Sequence, residues 1–430
     1  MNHNCGIVGF IGPGSSEYII EALMKLEHRG QEAGGIVLLQ ENELKEIKKI
    51  GLVTETFIDV EIPESSNCVG HTRYSTTKVK ESNSKTIQPF VSHVSEIGSM
   101  NESFSFCHNG HIPMINEYIE CDESSDSYGL MQILKKLKKG RSWKSAILKL
   151  INEIKGSYSI VIQLKDRLIA FKDSFGIRPL CYGISERGVV VASESSVFPP
   201  EFEYVRELNN GEIIIIREKK NIEFLNTIYE KKTCCFEHIY FYRHFSLYDK
   251  EKSVEYFREA CGLISGHKEE NVEAKYVVYM PSTSIPSAKA FSGILNLELK
   301  DWIRKRKNGF TKRTFILSNQ DERLRACLNK FEISDEIIGK NVYLIDDSIV
   351  RGNTMKTIVK LLKEIGVREI HLRIMSPVIK GRCYYGIDMS CKDDLIGSNK
   401  TEKEIMDEIG VSSLKYLKIE EIKTLLGEDI

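Results

Sequence analysis

Residues 342–362, VYLIDDSIVRGNTMKTIVKLL, decide how the second half of this chain folds. The stretch opens as an apolar strand, places Asp346 and Asp347 at the strand's carboxyl end, and turns through small residues into an amphipathic helix. Ligands of parallel α/β sheets sit at the carboxyl ends of strands, and backbone N–H groups at a helix start bind phosphate. Two carboxylates beside such an anion nest point to a sugar phosphate. The aspartates would accept hydrogen bonds from vicinal hydroxyls, while Ser348, Gly352, Asn353 and Thr354 let the turn wrap a phosphate. Arg351 would face solvent or the diphosphate side. The structural alternative is a strand-to-helix turn with exposed acids at its start.

Working outward, KYVVYM (275–280) precedes this unit and EIHLRIMS (369–376) follows it. Strand, helix and strand in that order make the βαβ unit of a parallel, doubly covered sheet. Before about Cys234 the texture differs. Short β-rich runs such as CGIVGFIG (5–12), GGIVLL (34–39), SYSIVIQL (157–164), VVVASE (189–194) and GEIIIIRE (211–218) alternate with turn residues. Two helical stretches, EYIIEALMKLEHRG (17–30) and YGLMQILKKLKKG (128–140), interrupt them with i, i+3, i+4 apolar spacing and a glycine stop. That is an α+β mixture with mostly antiparallel strands.

A length of 430 residues fits two domains, with the boundary expected in the 230–275 segment. Lys and Arg total 60 against 61 acidic residues, so the net charge of -1 gives no global reason to expect nucleic acid or an anionic membrane. No apolar run reaches the roughly 18–20 residues that span a bilayer, and the chain starts without a basic, then apolar, secretory pattern. A cytoplasmic protein is expected. Eleven scattered cysteines, an odd count, argue for reduced thiols that mostly fill the core.

Cys5 is the exception worth weighing. It is either a buried small residue heading a strand or, were residues 1–4 removed, a thiol and a free α-amine on one residue. Four further stretches carry groups able to hold an amino acid: HRGQEAGGI (28–36), GHTRYSTT (70–77), CHNG (107–110) and SSDSYG (124–129). Arg73 suits a carboxylate and Asp126 an ammonium, and Asn109 with Gly110 can donate to the oxyanion of a tetrahedral intermediate. Taken singly, Arg73 could be a surface salt-bridge partner, Asp126 a helix N-cap, and Cys107 core.

Together these parts resemble the glutaminase domain of the N-terminal nucleophile amidotransferases. In its two-domain order the chain is similar to the glutamine phosphoribosylpyrophosphate amidotransferase (amidophosphoribosyltransferase) family along nearly its whole length. Further matching phrases are FKDSFGIRPLCYG (171–183), CFEHIYF (235–241), RTFI (313–316) and CYYGID (383–388). The resemblance implies an αββα N-terminal nucleophile hydrolase sandwich followed by an α/β type I phosphoribosyltransferase domain. The corresponding divisions are a leader over 1–4 removed on maturation, a glutaminase domain over 5–234 and a transferase domain over 235–430.

It further implies that the Cys5 thiolate attacks glutamine, with the α-amine as base and Asn109 and Gly110 as oxyanion hole. Arg73 would bind the glutamine carboxylate and Asp126 its ammonium, with Arg29 and Thr76 in supporting contacts. Ammonia would then displace diphosphate from phosphoribosyl diphosphate (PRPP). The PRPP loop would run through Asp346, Asp347, Ser348, Ile349, Val350, Arg351, Gly352, Asn353 and Thr354. Mg²⁺ would ride largely on the substrate beside Asp346 and Asp347. Purine nucleotides are implied as inhibitors, and a homodimer or homotetramer as the assembly.

Three departures from the family pattern lie in the second half. The family's PDSG-type loop reads Pro281, Ser282, Thr283, Ser284 here. The flexible loop, usually NRYVGRTFI, runs through Asn308, Gly309, Phe310, Thr311, Lys312 and Arg313, within a basic run (300–313) whose bland alternative is a solvated helix end. The cysteine pair that would complete an iron–sulfur site with Cys235 and Cys383 is missing, so no cluster is expected. The altered 281–284 loop leaves a second reading open, a diverged paralogue delivering ammonia to another phosphorylated acceptor. A third, a non-catalytic nucleotide-binding homologue, sits poorly with a full set of glutaminase residues.

Overall fold

The computed structural model describes residues 5–74, 86–93, 102–119, 125–218, 221–227, 229–271, 274–306, 331–387, 389 and 391–427. Contacts divide the chain into two compact units.

The first unit is built on two antiparallel sheets. Strands β1 (Gly6–Ile11), β2 (Ala33–Gln40), β3 (Glu43–Ile50), β4 (Asn67–Arg73), β9 (Cys181–Ser185), β10 (Gly188–Ala192) and β11 (Glu203–Glu207) form one, in the order β11-β9-β10-β1-β4-β2-β3. Strands β5 (Phe90–Ser92), β6 (Phe104–His111), β7 (Ser157–Gln163), β8 (Leu168–Lys172), β12 (Ile213–Glu218) and β13 (Asn221–Leu225) form the other, ordered β13-β12-β8-β7-β6-β5. Ile7, Val37, Val69, Cys107, Val161, Ala170, Val189, Val191 and Ile214 fill the space between them. The outer faces are covered by helices, because β1 and β4 also carry apolar residues on their other side.

Helix α1 (Ser16–Leu26) puts Ile19, Ala22, Leu23 and Leu26 against Val8, Phe10 and Cys68. Helices α2 (Asp126–Lys138) and α3 (Trp143–Glu153) pack Leu130, Leu134, Ile147 and Leu150 on Phe104, Phe106, Tyr158 and Ile160. The result is the expected αββα sandwich. Burying each of these large side chains contributes about 1.5–3 kcal/mol.

The two-stranded ladder of β14 (Leu247–Asp249) and β15 (Lys252–Ser253) comes next in the chain. The second unit holds a parallel sheet of β16 (Tyr276–Tyr279), β17 (Glu298–Leu299), β20 (Asn341–Asp346), β21 (Glu369–Ile374) and β22 (Ser413–Tyr416), in the order β17-β16-β20-β21-β22. Helix α4 (Val254–His267) packs on α5 (Ile285–Leu295), and α6 (Asn353–Ile365) buries Met355, Ile358, Val359 and Leu362 against Val342, Leu344 and Leu372. Instead of a helix end, residues 303–305 form β18 (Ile303–Lys305), an antiparallel partner of β19 (Phe331–Ile333).

A single cut between 234 and 235 is too simple. Segments 245–252 and 383–390 group with the first unit. Ser246 Oγ donates to Glu194 at 2.7 Å, the Leu247 N–H donates to Ser195 Oγ at 2.6 Å, and Ser157 Oγ donates to the Tyr385 carbonyl at 2.7 Å. These bonds tie the two segments to buried parts of the sandwich, which composition along the chain does not reveal.

Candidate functional site

Cys5 stands at the head of β1, one residue before the Gly6–Thr72 pair of the β1–β4 ladder. That register brings it to the end of β4, where Arg73 sits. Asn109 and Gly110 lie near the end of β6 in the other sheet. The Cys5 N–H donates to Asn109 Oδ1 at 3.1 Å, so this one hydrogen bond joins the two sheets at Cys5. Among the described residues Asn109 Nδ2 is buried with no hydrogen-bond partner, leaving its donor for something else to use. A Cβ on Gly110 would come within 2.0 Å of the Ser157 carbonyl oxygen, so only glycine lets β6 lie this close to β7.

Cys5 is buried, and burial pushes its thiol up to about 12. A backbone hydrogen bond from Tyr74 and the Arg73 charge pull the other way, and Asp126 and Glu32 add to the rise. Asp126 opens helix α2, with Ser125 at the N-cap. Its Oδ2 accepts from the Ile112 N–H at 2.9 Å and its Oδ1 from the Ser127 N–H at 2.9 Å, while His111 Nδ1 lies 3.3 Å from Oδ2. Arg73 Nη1 is buried 3.9 Å from Glu32 Oε2 and makes no hydrogen bond among the described residues. Cys5, Arg73, Asn109, Gly110 and Asp126 thus gather at one end of the sandwich, though 104 residues separate Cys5 from Asn109.

Arg29 does not fit the contact expected of it. Its side chain is fully buried with Nε on Glu194, whose Oε1 also receives His28 Nε2 at 2.8 Å. A guanidinium paired in this way inside the protein holds α1 and the 194–196 turn together. Thr76 lies outside the described residues.

Sequence reasoning missed Gln88. Its Oε1 accepts from the His108 N–H at 2.6 Å and its Nε2 donates to the His108 carbonyl at 3.2 Å, fixing β6 one residue before Asn109. His108 Nδ1 lies 2.7 Å from Ser127 Oγ, linking that strand to the residue after Asp126. A glutamine before a proline carried no motif that could have flagged it.

In the second unit, β16 and β20 run parallel with Tyr279 beside Ile345, so the loops after both strands open side by side. Ser284 Oγ donates to Asp346 Oδ1 at 3.3 Å, Thr283 Oγ1 donates to Asp347 Oδ2, and Ser348 Oγ donates to Asp347 Oδ1 at 2.6 Å. The altered loop residues therefore meet the two acids directly. Burial raises both carboxyls above the usual range, and for Asp346 the neighbouring Asp347 adds to the rise.

Ile349 is buried, and the Val350 carbonyl accepts from the Ile396 N–H at 3.0 Å. Arg351 Nη2 lies 3.6 Å from Asp394 Oδ2, and Thr354 is exposed on the first turn of α6. Gly352, at φ 76°, caps α6 in the left-handed region, with Asn353 as the helix's first residue. Lys312 and Arg313 lie outside the described residues.

A buried cysteine hydrogen-bonded to an asparagine in one unit, and a carboxylate pair ahead of a helix start in the other, fit a glutamine amidotransferase domain followed by a phosphoribosyltransferase domain. Residues 72–200 match the family model for a glutamine amidotransferase domain, and residues 255–399 that for a phosphoribosyl transferase domain. The chain is 34% identical to the amidophosphoribosyltransferase of Methanocaldococcus jannaschii, covering 98% of this chain and 94% of that protein. It is 32% identical to the Staphylococcus aureus amidophosphoribosyltransferase, covering 100% and 88%. Among solved structures, the Bacillus subtilis glutamine PRPP amidotransferase complexed with ADP and GMP superposes with a TM-score of 0.86 at 29% identity, over 99% of this chain and 93% of that one. The chain belongs to the amidophosphoribosyltransferase family.

Proposed function

We propose that the residues gathered in the two units perform the two halves of glutamine-dependent amidotransfer to PRPP, the first step of purine synthesis, as follows. The enzyme takes the amide nitrogen of glutamine and passes it to C1 of PRPP, giving 5-phosphoribosylamine, glutamate and diphosphate. The single observation that carries the assignment of roles is the Cys5–Asn109 hydrogen bond with Asn109 Nδ2 left free to donate.

Removal of residues 1–4 turns the Cys5 N–H into an α-amine held on Asn109 Oδ1. A thiol pushed up to about 12 does not ionise by itself at neutral pH, so the amine, with an ordinary pKa of about 7.7–8.0, takes its proton. The thiolate attacks the carboxamide carbon, and the oxyanion forms against Asn109 Nδ2 and the Gly110 N–H. Arg73 holds the substrate carboxylate in place of its distant Glu32 partner, and Asp126 holds the ammonium. The amine returns its proton to the departing ammonia, and water then releases glutamate from the thioester.

In the transferase unit Asp346 and Asp347 accept from the ribose hydroxyls, and the 348–354 turn wraps the 5-phosphate with its backbone N–H groups. Two adjacent carboxylates, Asp347 buried and Asp346 partly so, ringed by the hydroxyls of Thr283, Ser284 and Ser348 are a hard-oxygen donor set, which fits Mg²⁺ carried in on the substrate. The cation would supply charge neutralisation at the diphosphate. Displacement of the 283, 284 and 348 hydroxyls from the acids frees them for substrate. The lid over this site would include Lys312 and Arg313.

Purine nucleotides as inhibitors, a homodimer or homotetramer, a cytoplasmic location and the absence of an iron–sulfur cluster complete the proposal. Support for nucleotide binding comes from the ADP and GMP in the Bacillus subtilis relative. Among the described residues no helix is long and apolar enough to cross a membrane. The test is stoichiometry: processed enzyme with glutamine, PRPP and Mg²⁺ releases glutamate and diphosphate in equal amounts. Glutamate without PRPP-dependent diphosphate would overturn the transferase half and favour a different acceptor.

A further inference from the structure

The segment that precedes the transferase sheet contains His244, and no role assigned so far uses it. Its Nε2 lies 3.1 Å from the Ser282 carbonyl oxygen and its Nδ1 lies 3.0 Å from Arg258 Nη1. Arginine can only donate, so Nδ1 must be the bare, accepting nitrogen. The proton of the neutral ring is then on Nε2, which donates to the Ser282 carbonyl. The tautomer is set by the neighbour.

Arg258 is itself locked. It is buried on helix α4, where Nε donates to the His238 carbonyl and Nη2 to the Tyr242 carbonyl, each at 2.9 Å. Ser287 Oγ donates to the Arg258 carbonyl at 2.7 Å, tying α4 to α5 just beyond the 281–284 loop. The His244 carbonyl accepts from the Glu255 N–H at 3.0 Å, so the imidazole is fixed at its backbone as well. Ser282 is the peptide next to Thr283, which donates to Asp347. A rigid relay therefore runs from α4 through the imidazole into the loop that touches the acids.

We propose that His244 is a positioning residue for PRPP. It holds the 281–284 loop by a single donated hydrogen bond to the Ser282 carbonyl, so that the Thr283 and Ser284 hydroxyls and the loop's N–H groups meet the diphosphate in one geometry. The loop carries serine and threonine side chains at a turn that approaches the substrate, and an anchor outside the loop supplies order that its own residues do not. Burial lowers the imidazole's proton affinity, and the charges of Arg258 and Arg243 act in the same direction against the Ser282 carbonyl and Glu255, which keeps the ring neutral so that Nδ1 can accept from Arg258.

The inference rests on 281–284 being part of the PRPP site, and the experiment separates the two. His244→Gln and His244→Glu are made in the full-length enzyme. Both side chains accept from Arg258, but only glutamine can also donate to the Ser282 carbonyl. With ammonia as nitrogen source, His244→Gln should keep the PRPP KM within about 3-fold of the parent, and His244→Glu should raise it about 10-fold or more. The rate of glutamine hydrolysis should be unchanged in both.

Equal PRPP KM values in the two variants would overturn the role of His244 while leaving the PRPP assignment intact. A parent enzyme with no PRPP-dependent diphosphate release would overturn the PRPP assignment itself. Should the glutamate variant not fold, His244→Leu, which neither accepts nor donates, takes its place against His244→Gln under the same criteria.

Discussion

The two half-sites are assembled in opposite ways. The proposed glutamine site draws Cys5, Arg73, Asn109 and Asp126 from strand ends in two sheets and the start of a helix, residues far apart in sequence that only folding brings together. The proposed phosphate site is nearly continuous: one strand, its two acids, one turn and one helix, with a neighbouring loop leaning on it. A dispersed site is only as good as the packing that aligns it, whereas a continuous one is set by local geometry and tuned by its neighbours. Mutations should divide accordingly.

The largest break comes from Cys5→Ala, which removes the attacking atom. Glutamine-dependent product formation should fall at least about 10⁴-fold while transfer from free ammonia persists. Loss of both in a folded variant would mean that the half-sites are not separable. Next is Asn109→Ala, which deletes both the oxyanion donor and the acceptor that holds the Cys5 nitrogen. A loss of about 10²–10³-fold in glutaminase kcat is expected, measured as glutamate release, and a fall of under tenfold would argue against the oxyanion role.

On the other side, Asp347→Asn leaves the loop backbone alone and weakens the grip on the ribose hydroxyls. It should lower ammonia-dependent transfer by about 10²-fold with glutamine hydrolysis intact, since misplacing a reacting group has costs of that order. Smaller still is the pH response. The buried thiol, at about 12, needs the amine as base, so glutaminase activity should drop about tenfold per unit as pH falls below the amine's pKa and the amine becomes protonated. A flat profile from pH 6 to 8 would remove the amine from the mechanism.

The smallest catalytic effect is reserved for Arg29→Met. Glu194 would be left buried without its guanidinium partner, at a cost of about 3–5 kcal/mol in stability by thermal or denaturant melting. The glutamine KM of the folded fraction should stay within about twofold of the parent. A large rise in KM with little loss of stability would restore Arg29 to the substrate.

The same contrast explains what could be read in advance. The 342–362 stretch announced its strand, turn and helix because hydrophobic period, paired acids and a left-handed glycine all occur within one short window. Strands β1, β7 and β12 were legible because each concentrates β-branched and aromatic residues. Strands β4 and β6 were not, since NCVGHTR and FSFCHNGH carry polar residues that the fold buries at the site.

Arg29 was misplaced for a related reason. An arginine next to a glycine beside a reactive stretch looks like a ligand contact, and its partner Glu194 is 165 positions away. His244 and Gln88 could not be found from sequence because each acts on a backbone atom of a distant segment, and backbone atoms leave no signature in residue type.

If the proposed mechanism holds, the hydrogen bond between the Cys5 nitrogen and Asn109 also gauges where the active chain would have to begin. The β1–β4 ladder fixes the strand in one register, so the strand cannot slide to compensate for a different end. Trimming one residue short or one residue long would set the terminal amine about 3.8 Å from its mark, the spacing between successive Cα atoms. Under the proposed mechanism, only a chain starting at residue 5 would have base, nucleophile and oxyanion donor within reach of one carbonyl group, so strand pairing would set the accuracy that maturation must meet.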